Sequence, residues 1–128
     1  MFVLGGKLLA IAGAGAAGAL LRFGMSNGVY RVLGREFPYG TMVVNVLGSL
    51  LIGYFFVLFL ERTIVSDALR SAILIGLLGS FTTFSTFSLE TLNLFNEGAY
   101  VKAAANVVLS VVLCLGATWA GFSLARQM

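Results

Sequence analysis

The sequence contains no histidine, one cysteine, Cys114, and one proline, Pro38. Because histidine is absent and only one thiol is present, the chain cannot form a His/Cys metal site, a Cys–His catalytic pair or an internal disulfide. Charged residues make up only 10% of its 128 residues, well below the roughly 25% that is typical of soluble domains. An enzyme that needs a nucleophile and a base is therefore the least favoured class of function.

Apolar residues take the place of the missing charge. They account for 59% of the chain, and the mean hydropathy is +1.01, whereas a soluble domain of this size needs more polar surface. The length suits about four spans of ~20 residues joined by short loops. The sequence therefore predicts an all-α integral membrane protein. Its single transmembrane domain covers residues 1–128, with spans at about residues 2–25, 39–60, 68–95 and 100–125.

The net charge of +3 does not indicate a nucleic-acid partner, because the basic residues lie singly near span ends and form no phosphate-binding cluster. The side that holds both termini carries Lys7, Arg62, Arg70 and Arg126, and the other side carries Arg22, Arg31, Arg35 and Lys102. This near balance gives the positive-inside rule little to act on. Either the count is uninformative, or the chain inserts in both orientations and two copies assemble as an inverted pair.

The centre of the third span has an unusual composition. Residues 79–88 read GSFTTFSTFS, and glycine, serine and β-branched threonine are poor helix formers. Backbone that is not helical survives at bilayer depth only where it is buried in protein or faces water or an ion. The sequence therefore predicts that the third helix is broken near its centre.

Polar residues recur at four-residue spacing in the second and fourth spans, as Asn45 and Ser49, and as Asn106, Ser110, Cys114 and Thr118. Such residues share one helix face. They either form hydrogen bonds between helices or line a polar pathway. Hydroxyl and amide donors without a fixed charge favour an anion over a proton or a metal cation. Glu90 either lies at the end of that pathway or is an interfacial carboxylate that reaches water.

Phe81, Phe84 and Phe87 follow one another at three-residue spacing. A phenylalanine stripe usually serves packing, but here the rings alternate with hydroxyl side chains. The positive edge of an aromatic ring can attract an anion, and this context favours a functional role for Phe84 and Phe87.

Three segments together resemble the small bacterial fluoride channels, the CrcB/Fluc family: GALLRF at residues 18–23, GTMVVN at residues 40–45 and GSFTTFSTFS at residues 79–88. The resemblance covers essentially the whole chain in length, span number and motif order. It implies an antiparallel, dual-topology homodimer in the bacterial plasma (inner) membrane. Two pores in that dimer would passively export toxic cytoplasmic fluoride.

The resemblance also assigns roles to residues. The ring edges of Phe84 and Phe87 are expected to meet fluoride, and the polar lining is expected from Asn45, Thr83, Ser85, Ser110 and Glu90, with Asn106 as a further candidate. Backbone carbonyls of Gly79 and Thr82 would hold a structural Na⁺ at the dimer interface, although Ser80 replaces a glycine found in many family members. Arg22 would draw anions into a vestibule, or alternatively reach the lipid headgroups.

Two rival functions are weaker. A small multidrug transporter needs an acidic residue in its first span to couple drug export to protons, and this first span has none. A membrane subunit that only docks a larger partner would not explain the Ser/Thr/Phe-rich third span.

Overall fold

The computed structural model describes residues 2–62 and 64–128, and this part of the chain is helical apart from short connections. We number its α-helices α1 to α6. They are α1 (Phe2–Leu33), α2 (Tyr39–Val57), α3 (Asp67–Ser71), α4 (Leu78–Phe81), α5 (Phe84–Asn96) and α6 (Tyr100–Gln127). Two π-helical segments extend them: Leu58–Arg62 follows α2, and Ala72–Leu77 joins α3 to α4.

Four helical stretches are long and apolar enough to cross a membrane: Leu4–Leu33, Tyr39–Arg62, Asp67–Asn96 and Tyr100–Gln127. The last three begin and end within two residues of the spans expected from the sequence. The first one differs, because α1 continues past Met25 to Leu33. Ser26, expected to open a polar connector, instead bonds through its hydroxyl to the Phe23 carbonyl inside the helix. The helix stops only at Gly34, whose φ of 86° lies in the left-handed region.

The third stretch is not one regular helix. Its first turn is capped by Ser66, whose hydroxyl accepts the Leu69 N–H at 3.1 Å. After the π-helical segment and the short α4, Thr82 and Thr83 adopt extended backbone angles, with ψ values of 159° and 121°. A new helix, α5, then begins at Phe84, and Thr83 caps it by accepting the Thr86 N–H at 3.1 Å.

The longest helix–helix contact joins α2 to α6, and it depends on two glycines. A Cβ atom added to Gly53 would collide with the Thr118 carbonyl, and one added to Gly121 would meet the Leu50 carbonyl and lie 2.7 Å from the Tyr54 nitrogen. The two backbones therefore approach more closely than any side chain allows, as is usual for helix pairs in lipid.

We expect Gly121→Ala to lower the free energy of unfolding by about 1–3 kcal/mol, because a methyl group there forces α2 and α6 apart. Thermal unfolding of the detergent-purified protein measures the change. Gly116→Ala is the matched control on the same helix, since a Cβ atom at Gly116 meets nothing within 4 Å. Equal unfolding temperatures for the two variants would contradict the close approach.

The α1 helix packs on the π-helical segment and α4 through a second set of small residues. A Cβ atom on Gly76 would lie 2.6 Å from the Ile11 carbonyl oxygen, and one on Gly18 would overlap the Leu77 backbone. These contacts bring the third stretch against α1 on one side, while α2 lies on its other side. The interruption at Thr82 and Thr83 is thus held between two long helices.

Ion pairs mark the end of the bundle near both termini. Asp67 accepts from Lys7 at 2.9 Å and from Arg70 at 3.1 Å, and Arg126 lies 3.7 Å from Glu61. The sides of the bundle are instead strongly apolar. Large side chains such as Val101, Leu115 and Trp119 are more than two-thirds exposed, as expected of a surface that meets lipid or another copy of the chain.

Candidate functional site

A groove of about 370 Å³ runs along α2, α6 and the interruption of the third stretch. Most of the residues singled out by the sequence line it: Asn45, Gly79, Thr82, Thr83, Phe84, Phe87 and Ser110. Gly48, Ser49 and Cys114 also contribute to its walls. The polar groups of the groove are neutral, and all of them come from serine, threonine, asparagine, cysteine or the backbone.

Asn45 fastens α2 to the interruption. Its amide nitrogen donates to the Thr83 carbonyl at 3.0 Å, and its amide oxygen accepts the Thr83 N–H at 2.7 Å. The side chain thus replaces both the donor and the acceptor that a continuous helix would give Thr83. The second amide hydrogen of Asn45 is not needed for this pairing, so the residue can both hold the backbone and offer a donor to the groove.

The interruption also deprives several carbonyl groups of their helical partners. In a continuous helix, the Thr83 N–H would bond to the Gly79 carbonyl and the Thr86 N–H to the Thr82 carbonyl. Here those two N–H groups bond to Asn45 and to the Thr83 hydroxyl. Neutral backbone oxygens are suitable ligands for a hard cation, so the residues expected to hold Na⁺ have the right donor chemistry.

Phe84 and Phe87 present their rings at the same groove. The ring centroids lie 5.4 Å apart with an interplanar angle of 45°, and Phe84 is 78% exposed. A ring that contacts so little of its own chain adds little to the packing of the protomer. Both rings lie in the first turn of α5, where the positive end of the helix dipole is located.

A chain of hydrogen bonds connects α5 to α6 behind the groove. Thr91 donates to the Phe87 carbonyl at 2.7 Å, Asn106 donates to the Thr91 hydroxyl at 2.8 Å, and Ser110 donates to the Asn106 amide oxygen at 3.4 Å. Asn106 is 2% exposed and Ser110 is 7% exposed. The polar stripe predicted on the fourth span therefore continues across to α5 through Thr91.

Three of the predicted residues do not line the groove in the part of the chain that the structure describes. Ser85 is exposed and lies 3.4 Å from the Thr83 hydroxyl. Arg22 donates from Nε to the Ser80 carbonyl at 3.0 Å, which stabilises another carbonyl released by the interruption. The vestibule role of Arg22 stays a prediction.

Glu90, the third of them, lies in a separate polar cavity of about 620 Å³, together with Tyr30, Arg35 and Lys102. The Tyr30 hydroxyl donates to Glu90 Oε2 at 2.8 Å, while Glu90 Oε1 is buried without a recorded partner. The carboxylate is thus held inside the protein by α1, and its place on an ion pathway stays a prediction.

These features define a class of protein: a small multi-pass membrane protein whose polar groups converge on an interrupted helix. A family model described as "CrcB-like protein, Camphor Resistance (CrcB)" matches residues 9–122. The chain therefore belongs to the CrcB family, and the resemblance found in the sequence is confirmed.

Three relatives are named "Fluoride-specific ion channel FluC". The one from Methylococcus capsulatus is 58% identical over 95% of this chain, which spans only 54% of the relative's length. The relative from Geobacter sulfurreducens is 50% identical over 94% of this chain and 98% of its own length, and that from Coxiella burnetii is 49% identical over the same shares. Their names are those of ion channels and not of enzymes, in agreement with the sequence analysis.

Sequence reasoning missed the hydrogen-bonding roles of Thr91 and Tyr30. Thr91 lies four residues after Phe87 and so on its helix face, which is a usable signal. Tyr30 had none, because it falls in the segment expected to be a connector.

Proposed function

We propose that the protein is a fluoride-selective channel that lets toxic cytoplasmic fluoride leave the cell passively. Its relatives carry that function in their names. One observation of the structure supports it most directly: the groove combines neutral hydrogen-bond donors with two exposed phenylalanine rings. Such a lining can replace the water around a small anion without a fixed charge that would trap it.

In this proposal the pathway is lined by Phe84 and Phe87, by Asn45 and Ser110, and by Thr83 and Ser85, with Glu90 towards one end and Arg22 at a vestibule. Asn45 and Ser110 have hydrogens to offer, and the ring edges supply weak positive charge. The N-terminus of α5 adds the favourable end of a helix dipole. The interruption of the third stretch would lie near the middle of the bilayer, where this backbone needs protein or an ion beside it.

We further propose that the whole chain forms one transmembrane domain, and that two copies assemble antiparallel to give two pores. The groove is open along one side of the protomer, and the side chains around it are largely apolar and exposed. A second copy would close the groove and cover that surface. The balanced basic residues, four towards each end of the bundle, permit insertion in both orientations.

A structural Na⁺ would be held at the interface of this dimer by the backbone carbonyls of Gly79 and Thr82. The ion would supply fixed positive charge and rigidity to the interruption. The absence of the usual helical donors at these two carbonyls supports the assignment. We place the protein in the bacterial plasma (inner) membrane, where passive fluoride export would protect the cytoplasm.

The test is fluoride release from liposomes that contain the purified protein and a potassium salt of fluoride. We expect rapid release only after valinomycin lets K⁺ leave, because a channel moves fluoride as a charge, and we expect no release of chloride. Protein-free liposomes report the leak of hydrogen fluoride. Fluoride release that does not depend on valinomycin would indicate coupled exchange, and no release from folded, inserted protein would refute the channel and favour a docking subunit.

A further inference from the structure

The hydrogen bonds behind the groove have only one possible direction. Thr91 has a single hydroxyl hydrogen, and the 2.7 Å distance to the Phe87 carbonyl shows where it goes. The Thr91 oxygen can therefore only accept a hydrogen bond from Asn106. Asn106 must turn its amide nitrogen towards Thr91, at 2.8 Å, and its amide oxygen away from it.

This orientation determines what Ser110 meets. The Asn106 amide oxygen is an acceptor only, so the Ser110 hydroxyl directs its one hydrogen to it. The distance of 3.4 Å is longer than the usual 2.5–3.0 Å of an O–H···O bond. The Ser110 hydrogen is thus held weakly, in a residue that is nearly buried and lines the groove.

We propose that Thr91 is a positioning residue for anion passage: it orients the Asn106 amide so that the Ser110 hydrogen can move between Asn106 and an anion in the groove. This inference rests on the proposed channel function. An anion that reaches Ser110 takes the hydrogen from a weak bond, and when it leaves, the Asn106 oxygen accepts the hydrogen again. Binding and release then both occur without leaving a buried polar group unpaired.

Replacing Thr91 with valine removes the hydroxyl and preserves the shape of the side chain. The Asn106 amide can then rotate and offer its nitrogen to Ser110, whose oxygen becomes the acceptor. The Ser110 hydrogen is left to the anion alone, so the anion is held longer. We expect Thr91→Val to lower the maximum rate of fluoride release about five- to tenfold, as for one ordinary buried hydrogen bond, and to lower the fluoride concentration that gives half of that rate.

Thr91→Ser is the conservative variant, because it keeps the hydroxyl and loses only a methyl group. We expect it to recover flux to within about twofold of the wild type, since the hydrogen bond to Asn106 is preserved. If Thr91 served packing alone, valine would be tolerated and serine would not. Ser88→Ala is the matched control, because Ser88 makes the same kind of bond, to the Phe84 carbonyl at 2.9 Å, from an exposed position on α5.

The double variant Thr91→Val/Ser110→Ala separates positioning from general damage. If Thr91 acts through Ser110, the valine substitution has no further effect once Ser110 is alanine. If Ser110→Ala abolishes flux, the contrast between valine and serine at position 91 decides. Normal flux in Thr91→Val, equal losses in the valine and serine variants, or additive losses in the double variant would overturn the inference. A silent wild type would instead refute the channel function itself.

Discussion

Isoleucine in place of Phe84 or Phe87 is expected to slow fluoride release about tenfold, and the double substitution about a hundredfold, if each ring edge contributes about 1.5 kcal/mol to the passage of the ion. Isoleucine keeps the bulk and the apolar character of the side chain but has no ring edge of positive charge. Phe84 is 78% exposed within the protomer, so its replacement removes few contacts that hold the chain together.

The measurement is the valinomycin-dependent rate of fluoride release from liposomes at matched protein density. Phe95→Ile is the control, because Phe95 is an exposed phenylalanine on the same helix whose ring lies against Tyr100 at 5.1 Å, away from the groove. Wild-type rates in both the Phe84 and the Phe87 variant would show that the rings serve packing and not the ion.

Asn45→Ala is expected to affect both folding and flux. It leaves the N–H and the carbonyl of Thr83 without the partners they have at 2.7 and 3.0 Å. A buried backbone group that loses its partner costs about 1–3 kcal/mol, and two are affected here. We therefore expect the unfolding temperature to fall clearly, and the fluoride rate per folded protein to fall at least about tenfold.

Asn45→Asp refines this experiment. Aspartate still accepts the Thr83 N–H but cannot donate to the Thr83 carbonyl, and it adds a negative charge beside the groove. Its stability should lie between those of the wild type and Asn45→Ala, while its fluoride flux should be the lowest of the three. Asn96→Ala, at an exposed position at the end of α5, controls for the loss of an amide. Unchanged stability in Asn45→Ala would mean that the Thr83 backbone does not depend on this pairing.

The four membrane-spanning stretches could be predicted because length and hydropathy alone determine them. The true end of α1 could not, since Ser26 and Arg31 look like loop residues and only Gly34 stops the helix. The π-helical segments also gave no signal. Their wider turns depend on how α1 packs against Gly76, and a hydropathy pattern does not record that contact.

The candidate site shows the same division. The sequence indicated that Asn45, Ser110 and the two phenylalanines belong to one region, because polar groups in an apolar helix are rare enough to be informative. It did not indicate that Asn45 bonds to both backbone groups of Thr83, or that Arg22 bonds to the Ser80 carbonyl. Those partners are 38 and 58 residues away along the chain, so they depend on how whole helices pair.

The π-helical segment Ala72–Leu77 lies between the α1 contact and the interruption. A π turn accommodates one more residue than an α turn does. Deleting one residue from this segment would restore a regular helix and rotate everything after it by about 100° relative to α1. Thr82 and Thr83 would then no longer face Asn45 on α2. This stretch therefore tolerates changes of side chain better than changes of length, and natural insertions and deletions should be confined to the loops.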